Sequence, residues 1–342
     1  MADITVMGAG VFGLSVAWSC ALRGARVRVI DPHGPGAGAS GGIVGALAPH
    51  VPENWNDKKA FQFESLIMAR TFWAGVAEAS GQSPGYGRLG RLQPIADEAA
   101  LTLANARAAT ARDLWQGKAE WRVIPAGGDW APLTPTGYLI EDTLSARLHP
   151  RRACAALVAA IRTTGGEVVT SGAPQGRVIW ATGVAGLDEL SHAHSRSVGH
   201  GVKGQGALLA YDAANLPQLF ADTLHIIPHD DGTTAIGSTS ETQYGDPTAT
   251  DAQLDAVIAR ARAAVPVLAD APILARWAGI RPRSRSRAPM LGAHPLRAGE
   301  FIANGGFKIG FGMAPKVGQV MADLIMDGVD AIPKGFRPEA SY

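Results

Sequence analysis

An α/β fold is predicted for this 342-residue chain, a parallel sheet covered by helices with a second, mostly antiparallel sheet inserted into it. Three observations predict it. The chain opens in the order strand, glycine turn, helix, strand, acid. Helical patterns then alternate with short strand patterns as far as residue 181. Beyond that, strand patterns at 203–210, 224–227 and 233–237 follow one another with only turn residues between them.

The first strand is the apolar run Ile4 to Met7. Gly8, Gly10 and Gly13 follow in G-x-G-x-x-G spacing, then an apolar helix up to Gly24, a strand Val27 to Ile30, and Asp31, 18 residues after Gly13. The first glycine permits a tight turn, the second lets backbone approach a pyrophosphate, and the third lets helix pack closely on strand. The helix N-terminus faces the phosphates, and Asp31 accepts a hydrogen bond from a ribose hydroxyl. This is a Rossmann-like dinucleotide clamp. By itself it does not separate NAD from FAD.

The small-residue loop Gly34 to Pro49 comes next. It contains Gly38-Ala39-Ser40-Gly41-Gly42 and Gly45-Ala46-Leu47-Ala48-Pro49. Small side chains let backbone N–H groups converge on an anion. The apolar continuation through Ile43, Val44, Ala46 and Leu47 argues against a solvated loop. Such a loop suits an extended FAD better than NAD.

Helices are predicted over 57–79, 98–115 and 149–164, the last with Pro150 near its start and Gly165 just past its end. Strands at 86–95 and 137–140 flank the second helix. Strands at 167–170 and 177–181 follow the third, the latter leading into Thr182-Gly183. Asp251 caps a helix to 264. Pro315 is expected to open a helix running to about Met326, with Gly328 beyond it. The cofactor domain is expected over 1–80, 145–200 and 278–342, and the substrate domain over 81–144 and 201–277.

Composition narrows the class. Apolar residues make up 46% and charged residues 18%, as in a globular protein. The net charge of +1 gives no polyanion signal, and no nucleic-acid partner is expected; the cluster Arg276 to Arg287 is the one candidate patch. Cys20 and Cys154 lie in separate helical stretches and read as core residues, so a reducing cytoplasm is expected. Met1 to Cys20 carries Asp3 and no basic leader, and is read as the clamp rather than a signal peptide. No apolar run reaches membrane-spanning length, so no membrane insertion is expected. His225 with His229, and His192 with His194 and His200, lack an acid or cysteine to complete a metal site, and none is expected.

Specificity comes from motifs far apart in the chain. These are Trp277-Ala278-Gly279-Ile280-Arg281-Pro282, Pro289-Met290-Leu291-Gly292, Phe301 through Gly310, and Ala314-Pro315-Lys316-Val317-Gly318. Upstream stand His225 through Gly232 and Ile236-Gly237-Ser238-Thr239. With the clamp and the Ala39-Ser40 loop, they resemble the FAD-dependent D-amino-acid oxidase family over nearly the whole chain. The likeness is to its glycine/sarcosine oxidase-like branch; the chain is also similar to the oxidase domain of the bifunctional tRNA wobble-uridine modifying enzyme. Ser286 departs from the pattern, standing where many relatives have an acid.

The resemblance implies a Rossmann-like FAD-binding domain of the glutathione-reductase type, with an inserted, mostly antiparallel β-sheet substrate domain and the flavin between them. It implies that Gly8, Gly10, Val11 and Gly13 hold the pyrophosphate, Asp31 the adenosine ribose, and Ala39 and Ser40 phosphate. Gly45, Ala46 and Leu47 would pass beside the flavin, Val169 would contact adenine, and Ala181 and Gly183 would pack near the cofactor. Gly306 to Gly310, with Phe307, Lys308 and Ile309 between, would line the flavin's pyrimidine side. Phe12, Pro32 and Arg281 are counted with the cofactor-binding residues, and Gly204-Gln205 matches a family motif. No cysteine lies near the Arg281 segment, so FAD is expected to be non-covalent.

The expected reaction is oxidation of the C–N bond of a small amino acid or N-substituted glycine. Hydride passes to flavin N5, and the imine hydrolyses to an oxo acid. The cofactor carries the chemistry, and no acid or base is nominated. The alternatives are a carboxymethylaminomethyl-type tRNA uridine or a 2-hydroxy acid as substrate. The electron acceptor is O2 or a quinone or carrier, and a homo-oligomer is left open. Taken alone, the alternation of Arg281, Arg283, Arg285 and Arg287 with Pro282, Ser284 and Ser286 reads as a solvated charged face. The flanking motif changes this for Arg281 only, which is expected to fork onto a substrate carboxylate. Lys308 is expected as a second cation and His225 as a residue reaching the substrate pocket.

Overall fold

A computed structural model describes all 342 residues. Its first sheet has six strands in the spatial order Met290–Ala293, Phe301–Asn304, Arg177–Trp180, Ile4–Met7, Val27–Ile30, Glu167–Val169. The last five are mutually parallel and the first is antiparallel to its neighbour. The two strands that open the chain lie inside the sheet, so helices must cross over its faces. The helix Val11–Ala21 is buried on almost every side, as expected of a helix that is apolar all round. It packs against Gly310–Ala322 and Pro150–Thr163. Helix Asp57–Ser80 packs against both of those, and all four belong to one large core.

The second sheet has eight strands, in the order Ile273–Ser284, Gly199–Leu209, Thr234–Gly237, Leu224–Pro228, Gln218–Ala221, Arg91–Pro94, Tyr138–Asp142, Trp121–Pro125. Every pairing is antiparallel except Gln218–Ala221 with Arg91–Pro94. That parallel seam joins two stretches of chain more than 120 residues apart. A third, two-stranded ladder pairs Ala46–Leu47 with Ala146–Arg147.

Several expectations change. The strand expected at 86–95 forms only at Arg91–Pro94, because Gly85 and Gly90 turn the chain before it with φ of +71° and +80°. Strands Trp121–Pro125 and Gln218–Ala221 and helix Gly183–Ala193 were not foreseen. The helix expected to open at Pro315 opens at Gly310, with Pro315 inside it. Proline there, in the second turn, leaves the Phe311 carbonyl without its intrahelical donor. The helix ends in a π turn, Asp323–Asp327, closed by Gly328 at φ +71°. Strand Ile273–Ser284 pairs along its length with Gly199–Leu209, so the second sheet runs on past residue 277. We retain the two-domain division as a proposal, with its last junction moved beyond Ser284.

Candidate active site

The clamp is assembled by two close approaches. Gly8 takes φ +111°, and a Cβ there would lie 2.4 Å from the Ala181 carbonyl oxygen; one on Gly13 would lie 2.0 Å from the Gly8 oxygen. Turn, helix and the end of strand Arg177–Trp180 therefore touch through backbone. The Gly10, Phe12 and Gly13 amides at the helix N-terminus donate to no acceptor in the protein, while the Val11 amide donates to Ser40 Oγ at 2.9 Å. This brings the Ala39-Ser40 loop onto the helix end. The same loop offers the unpaired amides of Ala39 and Ser40.

Asp31 ends the second strand. Its carboxylate accepts from the Ala9 amide at 2.8 Å and the His33 amide at 3.0 Å, leaving lone pairs for a hydroxyl donor. Pro32 follows it on the surface. Val169 accepts from the Asp31 amide at 3.1 Å, beside the acid. Gly183 starts a helix just past Ala181. The donors fit a dinucleotide: unpaired backbone amides for a pyrophosphate and a carboxylate for a ribose.

Gly306 meets Phe12, where a Cβ would come within 3.0 Å of the ring, so segments almost 300 residues apart are in contact. Phe307 takes φ +42° and its amide donates to Pro282 O. Ile309 donates to Gly306 O, so it is not free as expected. The free amides of the next helix are those of Gly310, Phe311 and Gly312. Leu47 packs near Gly312, and Gly45 lies against Leu148. The second glycine-rich helix start thus lies against the loop containing Ala46, an arrangement suited to a planar group with anionic edges.

Arg281 is 9% exposed. It projects from its strand across Gly204, whose missing side chain makes room; a Cβ there would sit 1.8 Å from the guanidinium. Arg281 donates to Ser238 Oγ at 2.6 Å and to Thr239 O at 3.3 Å. Burial pulls its pKa down to about 10, and Glu241 opposes the shift. Glu241 is itself buried and accepts from Gln205 at 3.0 Å and from the Thr239 hydroxyl. Burial also lowers the pKa of Lys308, as do Arg281 and Arg283. His225 has a buried, unpartnered Nδ1. Burial, then Arg91, Lys308 and Arg281, depress it to about 3. Arg281 and Lys308 both act on the His225 imidazole, and Arg281 acts on Lys308, so the three lie within electrostatic reach of one another.

Sequence reasoning missed Arg91, which is buried on Asp142 at 2.8 Å, and the Ser238, Thr239 and Glu241 contacts. Each is a single polar residue with no spacing to announce it.

The family model for FAD-dependent oxidoreductases (DAO) matches residues 3–324. The chain belongs to this family. It is an FAD-dependent oxidoreductase with a Rossmann-like FAD fold. The glycine oxidase of Geobacillus kaustophilus is 25% identical, over 94% of this chain and 92% of that one. The glycine oxidase of Pseudomonas aeruginosa is 26% identical, over 98% of each. The crystal structure of iminodiacetate oxidase from Chelativorans sp. BNC1 superimposes with a TM-score of 0.82 at 24% identity, covering 98% of both chains, a likeness of fold. No helix in this FAD-dependent oxidoreductase is long and apolar enough to cross a membrane.

Proposed function

We propose that this FAD-dependent oxidoreductase oxidises the C–N bond of a small amino acid or N-substituted glycine, giving an imine that hydrolyses to an oxo acid. One observation carries the reading. The buried guanidinium of Arg281 donates to two uncharged acceptors, Ser238 Oγ at 2.6 Å and Thr239 O at 3.3 Å, and to no carboxylate. A substrate carboxylate supplies the missing anion.

When bound, FAD supplies hydride acceptance at N5. The protein supplies placement. The unpaired amides of Gly10, Phe12 and Gly13 and the carboxylate of Asp31 hold the dinucleotide end, with Val11, Phe12, Pro32, Ala39, Ser40, Val169, Ala181 and Gly183 around it. Gly45, Ala46, Leu47 and the segment Gly306 to Gly310 hold the flavin end. Arg281 forks onto the carboxylate and fixes the α-carbon, and Lys308 adds a second cation. His225, neutral above about pH 3, shapes the pocket without adding charge. The amine reacts in its neutral form, so no side chain needs to remove its proton during the chemistry.

Replacing Arg281 with Met tests the assignment. The variant should keep its yellow FAD and lose about a hundredfold in apparent substrate affinity, from one charge-assisted bidentate contact. The assay is anaerobic flavin bleaching with glycine, sarcosine, proline and D-amino acids. An unchanged KM would sink the assignment. Bleaching by 2-hydroxy acids alone would transfer the clamp to hydroxy-acid oxidation, and bleaching only by a modified tRNA would transfer it to the uridine side chain.

A further inference from the structure

Outside the active site, one cavity has a composition that the oxidation does not use. It is a surface cavity of about 490 Å³ lined by Arg196, Ser197, Gly199, His200, Arg283, Ser284, Arg285 and Arg287, with no hydrophobic and no acidic residue. Two segments build it. The loop before strand Gly199–Leu209 and the start of that strand supply Arg196, Ser197, Gly199 and His200, and the end of strand Ile273–Ser284 with its following turn supplies Arg283, Ser284, Arg285 and Arg287. The two are held edge to edge by the pairing of Gly199 with Ser284 and His200 with Arg283. The Arg285 amide donates to Val198 O at 2.8 Å, which closes the turn onto the loop.

The four guanidiniums have no anionic partner, although Arg283 lies over the Phe307 ring at 5.3 Å from its centroid. None makes an ion pair within 4.0 Å, and none donates a hydrogen bond to the protein. Elsewhere on the surface Arg276, Arg260, Arg297 and Arg337 each hold a carboxylate; the exposed Arg70, Arg112 and Arg177 are also unpaired but do not line this cavity. A fifth cation adds to the cluster. Lys58 Nζ donates to the Arg287 carbonyl, and Arg287 and Arg283 lower its pKa, after burial. Arg287 adopts φ +58°, a conformation uncommon for a non-glycine residue and concentrated at functional sites. Like charges held this close repel, and an external anion would relieve the repulsion. Guanidinium forks match phosphate oxygens in geometry as well as charge.

We propose that Arg196, Arg283, Arg285 and Arg287, with His200, form a second binding site, for a small ligand bearing two or more linked phosphate groups. A single phosphate or carboxylate would leave most of the guanidiniums unsatisfied. The cavity is small, and beyond Lys58 the basic residues run on only toward Lys308 and Arg281 in the active site; farther along the strand, Arg276 is occupied by Asp255 at 2.6 Å. This favours a compact polyphosphate over a nucleic-acid backbone. The Ser197 and Ser284 hydroxyls in the lining donate to Gly199 O and Ala288 O, so the guanidiniums supply the donors for a ligand.

The test is calorimetric titration of the FAD-loaded protein with inorganic triphosphate, with sulfate at equal ionic strength and a short RNA duplex as parallel arms. The expected result is saturable binding of one triphosphate per chain, weakened about a hundredfold in the double variant Arg196→Ala/Arg287→Ala. Binding should be unchanged in Arg276→Ala, whose arginine is already paired. Visible FAD absorbance and substrate turnover of the double variant verify that it folds; if it does not fold, Arg196→Gln and Arg287→Gln are titrated singly, with about tenfold weakening expected in each. The proposal is overturned by absence of saturable binding. It is equally overturned by sulfate binding as tightly as triphosphate, by undiminished binding in the folded variants, or by the RNA duplex binding more tightly per phosphate than triphosphate.

Discussion

Arg281 holds a charge in a buried place because other groups hold the guanidinium in position: Ser238 and Thr239 accept its protons, and Glu241 stands behind it. Arg91 and Asp142 show the same logic without a substrate. Their side chains are 7% and 0% exposed and paired at 2.8 Å. Arg91→Met should cost about 3–5 kcal/mol by stranding a buried carboxylate, read by urea unfolding; adding Asp142→Asn should recover part of it. His229 gives a pH prediction. It is fully buried, and burial, then neighbouring His149, hold its pKa down at about 4 against 6.5. Between those values the unfolded chain binds the proton and the folded one does not. The contribution to stability is therefore present above pH 6.5 and lost as pH falls toward 4, by about 1.4 kcal/mol per pH unit. Unfolding free energies from urea at pH 6.5 and 5 should differ by about 1.6 kcal/mol more in the wild type than in His229→Gln; equal differences would refute it.

Among the elements, the two glycine-rich helix starts matter most. One presents Gly10, Phe12 and Gly13 amides, the other Gly310, Phe311 and Gly312 amides, and Phe12 packing against Gly306 ties them together. Each helix end carries partial positive charge where an anionic part of the cofactor would lie. Gly13→Ala would place a methyl 2.0 Å from the Gly8 oxygen. Relief by helix displacement costs about 1–3 kcal/mol, so FAD should bind at least about tenfold more weakly. Titration of the stripped protein with FAD reads this directly, and an unchanged Kd would mean that the turn relaxes freely. The first helix start was legible because glycine, strand and acid are contiguous in the chain. The second was placed five residues late, because proline marks a helix start only by preference, and here it lies inside the helix.

At the scale of the whole molecule, the chain passes back and forth between the two sheets. A group bound to both glycine-rich helix starts and to the Arg281 strand would tie separate stretches of chain together. Removing FAD should therefore lower the thermal midpoint, and FAD at a thousandfold excess over its Kd should restore about 4 kcal/mol, a shift that calorimetry detects; a midpoint independent of FAD would argue against this linkage. The amino-acid sequence by itself determined the clamp, because it rests on contiguous residues whose spacing follows backbone geometry, and the cofactor and the family, because several short motifs far apart in the chain stand in order. It also carried the Arg281 motif. Tertiary structure alone decided what surrounds Arg281, the parallel seam between Gln218–Ala221 and Arg91–Pro94, and the meeting of Arg196 with Arg283, Arg285 and Arg287 in one cavity. Local pattern read those three strand and turn arginines as separate surface charges. Strand pairing brings them beside a loop 90 residues earlier, and charge interaction depends on that distance in space.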